Sequence, residues 1–148
     1  MRLTFFTARA AGSSTQARTR SGVTAAGATP TLCKLGLYLV DASDNGTLVA
    51  ATANTTSLWA AANTAYTPAW VTPYTMILGQ RYALGQLIVT SQTAPVWTGY
   101  ALMAAAQAEC DTVPRLTGGV PGLSDLPSLF TAAALVSTPN RHYGVILS

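Results

Sequence analysis

The stretch from Leu78 to Thr90, Leu-Gly-Gln-Arg-Tyr-Ala-Leu-Gly-Gln-Leu-Ile-Val-Thr, constrains the fold more than any other part of the chain. Its aromatic and β-branched content suits a pleated, half-buried surface, and Leu78-Gly79-Gln80 supplies a turn ahead of it. Tyr82 and Leu84 alternate onto one face, but after Gly85-Gln86 the apolar positions become Leu87 and Val89, so the two-residue period slips by one. A bulge at Gly85 accounts for the slip, and the run is expected to lie centrally in a sheet.

The other periodic segments read as its neighbours. Arg2 to Arg9 is a strand with Leu3 and Phe5 on one face, followed by a turn over Ala10 to Ser14. Gln16, Arg18 and Arg20 then alternate with Ala17, Thr19 and Ser21, the pattern of an outer or edge strand with a small-residue inner side. Thr31 to Asp41 places Leu35, Leu37 and Leu39 on one face as a core strand, and Asn45-Gly46 signals a hairpin that returns over Thr47 to Asn54. Ser57 to Ala62 is alanine-rich behind a capping serine and predicts one short helical connector. Pro68 and Pro73 confine Tyr66 to Ile77 to an edge. Val96 to Leu102, Arg115 to Gly119, Leu129 to Val136 and His142 to Leu147 complete the set, the last tied into a sheet. Short strands separated by turns predict an all-β fold, a two-sheet antiparallel sandwich of jelly-roll type, and 148 residues fit one domain spanning 1–148.

Charge is where the composition departs from an ordinary domain: 9% of residues are charged, against about 25% in soluble proteins generally. Thr, Ser, Ala and Gly take their place, so the surface is weakly solvated and is expected to be covered by further copies of the chain or by a larger assembly. No apolar run approaches the ~18 to 20 residues that span a bilayer, and threonines interrupt the apolar start too early for a signal peptide. The eight basic residues are scattered rather than clustered among stacking aromatics, which argues against nucleic-acid binding. Cys33 and Cys110 read as reduced, buried thiols, with a single disulfide as the alternative.

The chemistry-bearing residues do not assemble into a catalytic set. Asp41, Asp44, Glu109, Asp111 and Asp125 all sit in or beside expected turns, and Glu109 and Asp111 flanking Cys110 read as a solvated turn rather than a glycosidase pair. Asp41 and Asp44 lack the further ligands and terminal Glu of a calcium loop. One histidine, His142, is too few for a zinc centre within the chain and reads as a half-exposed strand residue. The glycines of Leu78 to Gly85 bracket a strand rather than opening a helix, so no phosphate cradle is expected. Accordingly no catalytic residue, metal ligand or cofactor is assigned. The aromatics are the remaining candidates: Trp70, Tyr74 and Trp97 are assigned as oligomer-interface or glycan-stacking residues, with Gln86, Gln92 and Asn63 as polar neighbours able to hydrogen-bond a sugar.

Leu3 to Arg9 (Leu-Thr-Phe-Phe-Thr-Ala-Arg), Thr24 to Cys33 (Thr-Ala-Ala-Gly-Ala-Thr-Pro-Thr-Leu-Cys), Leu35 to Val40, Leu58 to Thr67 and Gly79 to Gly85, extended by Arg115-Leu116 and Ser124 to Pro127, together resemble a β-sandwich module of actinobacteriophage virion proteins, the distal part of minor tail proteins or fibres. The resemblance implies a non-enzymatic structural protein on the outer surface of the particle, tail- or fibre-associated, with host-envelope glycan as a contact. Its alternative is a capsid decoration or head-fibre protein that stabilises the shell. It further implies a homo-oligomer, a trimer, with other virion proteins as partners. Such modules usually extend a longer protein, so a copy starting at Met1 would attach through its own surface.

Overall fold

A computed structural model describes residues 1–27, 30–101, 112–138 and 140–148. In chain order its strands are β1 (Arg2–Thr7), β2 (Gly12–Arg20), β3 (Leu32–Val40), β4 (Gly46–Ala51), β5 (Ala65–Tyr66), β6 (Ala69–Met76), β7 (Arg81–Val89), β8 (Gly99–Ala101), β9 (Thr117–Gly119), β10 (Leu129–Phe130), β11 (Asn140–His142) and β12 (Gly144–Leu147). All pair antiparallel. One sheet runs β10-β4-β3-β7-β1-β9; a second has β2 in its middle, with β12 on one side and β5 and β6 on the other, and β8 and β11 pair as a small two-stranded sheet. Along β1, β2, β3, β4, β6, β7 and β12 the chain changes sheet at every step except the β3–β4 hairpin. That is the wiring of a jelly roll one edge strand short. The fold is all-β, as the sequence predicts.

β7 lies between β3 and β1, central as expected, but it carries no bulge at Gly85: its register against both neighbours runs unbroken, with Gly85 opposite Leu3 and Gly36. The slipped period has another cause. Tyr82 to Leu87 are all buried because both faces of this sheet are covered. Tyr82 and Leu84 face the second sheet with Leu35, Leu37, Ala17 and Trp70. On the opposite face Ala83 packs with Leu3, Phe5, Tyr38 and Val40 under Val120, Phe130 and Leu135 from the long excursion between β7 and β12. Gly36 and Gly85 make room for the Tyr38 ring, since a Cβ on either would sit 3.0 Å from its edge.

Three other expectations are corrected by tertiary context. β2 is not an edge strand, because β12 and β6 bond both of its sides; its polar residues mark the outer face of a central strand, with Ala17 and Thr19 fully buried beneath. Ser57 to Ala62 forms no helix. Leu58 N donates to Thr55 O and Ala60 N to Ser57 O, two tight turns that drive Trp59 into the core at φ 65°. The one helical element among the described residues is a 3-10 turn at Ala132–Ala134. Trp59 overrides the alanines because burying so large an indole outweighs the few tenths of a kcal/mol per residue that separate helix propensities.

The hairpin at Asn45-Gly46 does form, for a reason other than turn geometry. The positive φ falls at Asp44 (66°), and Asp41 closes the loop by accepting from the Ser43 and Asn45 amides at 2.8 and 2.9 Å. Gly46 instead lies under the Phe130 ring, where a Cβ would come within 2.3 Å of it.

Candidate functional site

The three candidate aromatics do not share a surface. Alternation along β6 turns Trp70, Tyr74 and Met76 inward. Trp70 is buried, and its Nε1 donates to Ser14 Oγ at 2.8 Å. Tyr74 is half-buried edge-on to Tyr82, ring centres 6.0 Å apart, and burial with that hydrogen-bonded neighbour raises its phenol pKa. Both belong to the core between the sheets rather than to a face left for a partner, because β6, although an edge strand, still presents one side to β7 and β3 across the sandwich. Its outward side carries the exposed Val71, and Ile77 and Leu78 follow at its end, also exposed.

Trp97 is placed differently. It packs edge-on between Trp59 and His142, with ring centres 5.3 and 5.4 Å away, and lines a cavity of about 570 Å³. Gln86 and Ile88 floor this cavity from the inner face of β7, Arg2 enters from the adjoining strand as the register partner of Gln86, and Thr138, Asn140 and His142 close the far wall. Gln86 belongs to a run that otherwise buries apolar side chains. It is held there by one bond, Nε2 donating to Tyr143 O at 3.2 Å. Its Oε1 has no hydrogen-bond partner among the described residues, and neither do Trp97 Nε1, Thr138 Oγ1 or His142 Nδ1, all buried. Desolvation, with the Arg2 charge adding to it, pushes His142 down to about 4, so its imidazole is neutral at neutral pH. Of the expected sugar-binding neighbours, Gln86 meets Trp97; Gln92 and Asn63 are exposed and do not line the cavity.

Thr138 and Asn140 were legible only as turn residues beside a proline. Nothing local in a sequence marks a side chain whose partners lie some fifty positions away. A second cavity, about 750 Å³ and lined by Phe6, Met76, Leu84 and Ile146, is more apolar and gathers no comparable set of unpartnered polar atoms.

The described carboxylates are all committed to structure. Asp41 also accepts from Asn45 Nδ2 at 2.9 Å, and these bonds hold its carboxyl below the usual carboxylate range. Asp125 pairs with Lys34 Nζ at 2.8 Å and is likewise lowered, chiefly by that bond. Asp44, read from sequence as a turn residue, is fully buried, ion-paired to Arg81 and bonded by the Arg115 amide at 3.0 Å. Glu109, Asp111 and Cys110 lie outside the described residues. Cys33 is a free thiol buried in β3, and desolvation pushes it up to about 11, far from a reactive thiolate. No group of three or more metal-ligating side chains occurs among the described residues.

No family model matches the chain, and neither does a curated protein or a solved structure.

Proposed function

We propose that the chain is a non-enzymatic structural module on the outer surface of a phage particle, tail- or fibre-associated, that contacts glycan of the host envelope. The observation that carries this reading is the Trp97 cavity, whose described lining includes the polar side chains of Arg2, Gln86, Thr138, Asn140 and His142 and no carboxylate or thiol. A lining of that kind holds a ligand and orients it, but offers neither an ionised nucleophile nor a paired acid and base. The sandwich supplies a rigid support, and the sequence resemblance to virion modules supplies the setting.

Self-association fits the same reading. Val71, Ile77 and Leu78 are 72, 59 and 63% exposed at the β6 edge, on a protein with few surface charges to oppose contact between copies. Closed cyclic symmetry, a trimer by the resemblance, covers such an edge without propagating into filaments. Gold-labelled antibody against the chain, applied to purified particles under the electron microscope, tests the placement. Label on the tail tip or fibres is the expected result; label spread over the head would replace this reading with capsid decoration, and unlabelled particles would remove both.

A further inference from the structure

The sheet built on β2 leaves its two edges in different states. At one edge β6 carries Pro73, and Thr52 bridges Trp70. At the other, β12 (Gly-Val-Ile-Leu) has no proline, charge or bulge, and its register runs unbroken from Gly144 opposite Thr19 to Leu147 opposite Gln16. Ala17 N donates to Pro68 O, on the side of β2 away from β12, so by strand alternation Arg18 and Gln16 are the residues that bond Val145 and Leu147. The amides and carbonyls of Gly144 and Ile146 therefore point off the sheet. Neither residue has a hydrogen-bond partner on that side among the described residues, and solvent meets these backbone groups in the free protein.

That edge opens on an apolar groove. Gly144, Val145 and Ile146 line the cavity of about 750 Å³, and Phe6 of β1, from the other sheet, lines it too. Phe6 and Ile146 are half-buried and Val145 is 37% exposed, so their apolar surfaces are open to an incoming molecule. A lipid would cover these side chains and leave the row of backbone donors and acceptors unmet. An extended polypeptide answers both, its main chain pairing with Gly144 and Ile146 while every second side chain enters the groove.

Charge selects whose chain it is. Arg9 and Arg141 line the groove, Arg18 stands opposite Val145 on β2, and the described lining holds no carboxylate. A second copy pairing through its own β12 would gather these arginines from both molecules, whereas a strand that carries carboxylates is attracted by them. We infer that β12 and this groove receive an extended, acidic segment of another protein, which adds a strand to the sheet and sets alternate apolar side chains against Phe6 and Ile146. The inference concerns a protein partner and does not depend on the glycan contact.

The test uses the ¹⁵N-labelled protein and three capped seven-residue peptides in which valine, leucine or phenylalanine alternates with glutamate. In the free protein the Gly144 and Ile146 amides should exchange with deuterium about tenfold faster than those of Val145 and Leu147, which β2 holds by a hydrogen bond each. With at least one peptide at up to millimolar concentration, the Gly144 and Ile146 resonances should move saturably and their exchange should slow about tenfold. Arg9→Glu, a change at an exposed side chain, should weaken that binding about fivefold and leave the thermal midpoint nearly unchanged.

Equally slow exchange of all four amides in the free protein, no protection of Gly144 and Ile146 with any peptide, or equal binding of peptides carrying lysine for glutamate would each overturn the inference. So would protection of the two amides that grows with protein concentration alone, which would assign the edge to a second copy. None of these results bears on the particle placement, which the antibody labelling decides.

Discussion

Asp44→Asn is the sharpest probe of how the excursion after β7 is fastened to the six-stranded sheet. The Asp44 carboxylate comes from the β3–β4 loop, Arg81 from the start of β7 and Arg115 from the excursion, so one buried charge fastens three segments far apart in sequence. Arg81 also donates to Arg115 O and lies 5.0 Å over the Phe5 ring, and its side chain is only 17% exposed. Asparagine keeps the shape and tolerates the left-handed φ of 66°, so the substitution removes the charge with little else. A guanidinium left unpaired in such a place costs about 3 to 5 kcal/mol. At roughly 2 to 4 °C per kcal/mol for a chain of this size, the melting midpoint should fall by roughly 6 to 20 °C.

Urea unfolding followed by tryptophan fluorescence measures the change in free energy directly. Arg81→Met alone should be comparably harmful, because it strands the carboxylate. The double variant should recover part of the loss, since it removes the Arg81 charge together with the carboxylate, while the Arg115 guanidinium, 3.9 Å from Asp44, still loses its ion pair. A cost below about 1 kcal/mol for Asp44→Asn, or a double variant as unstable as the sum of the singles, would refute the reasoning.

Four further outcomes are expected. Stability should decline on acidification from pH 6.5 towards 4, because the unfolded chain protonates His142 at its ordinary value while the fold holds it down to about 4; urea midpoints at pH 7 and 5 should differ more in the wild type than in His142→Phe, where the buried Met1 amine, lowered to about 6, leaves a smaller difference of the same sign. Trp70→Ala should cost about 3 to 5 kcal/mol in urea unfolding as a core truncation, whereas the paired Val71→Lys and Leu78→Ser changes should leave the urea midpoint nearly unchanged and shift light scattering towards monomer. Asp125→Ala should cost no more than about 1 kcal/mol, measured the same way, because its Lys34 pair is open to solvent. Gly46→Ala should cost about 1 to 3 kcal/mol with no change in turn conformation by backbone chemical shifts, since the added methyl strikes a Phe130 ring that Phe5 and Tyr38 hold from two sides.

Features carried by near neighbours along the chain could be read without the structure. Period-two alternation set β1, β3 and β7 and the inward faces of Leu35, Leu37, Tyr82 and Leu84, because a side chain's face in a strand depends only on position parity. Asn45-Gly46 marked the hairpin, and Pro68 and Pro73 marked the edge. Parity says nothing of what covers a face. The run through Gly85 therefore read as a bulge when it is a strand buried on both sides, and β2 read as an edge because polar side chains on an outer face look the same whether or not another strand lies alongside. Gly46 served Phe130 rather than a turn, and Asp44 served Arg81 rather than solvent. Of the candidate site, Trp97 and Gln86 were visible as an aromatic and a polar residue. That they line one cavity with Thr138 and His142, and that Trp70 and Tyr74 belong to the core, follows from packing between distant segments. A cavity is made by segments that pack side by side after long excursions, and its unpartnered atoms are defined by distances across space, which no local pattern encodes.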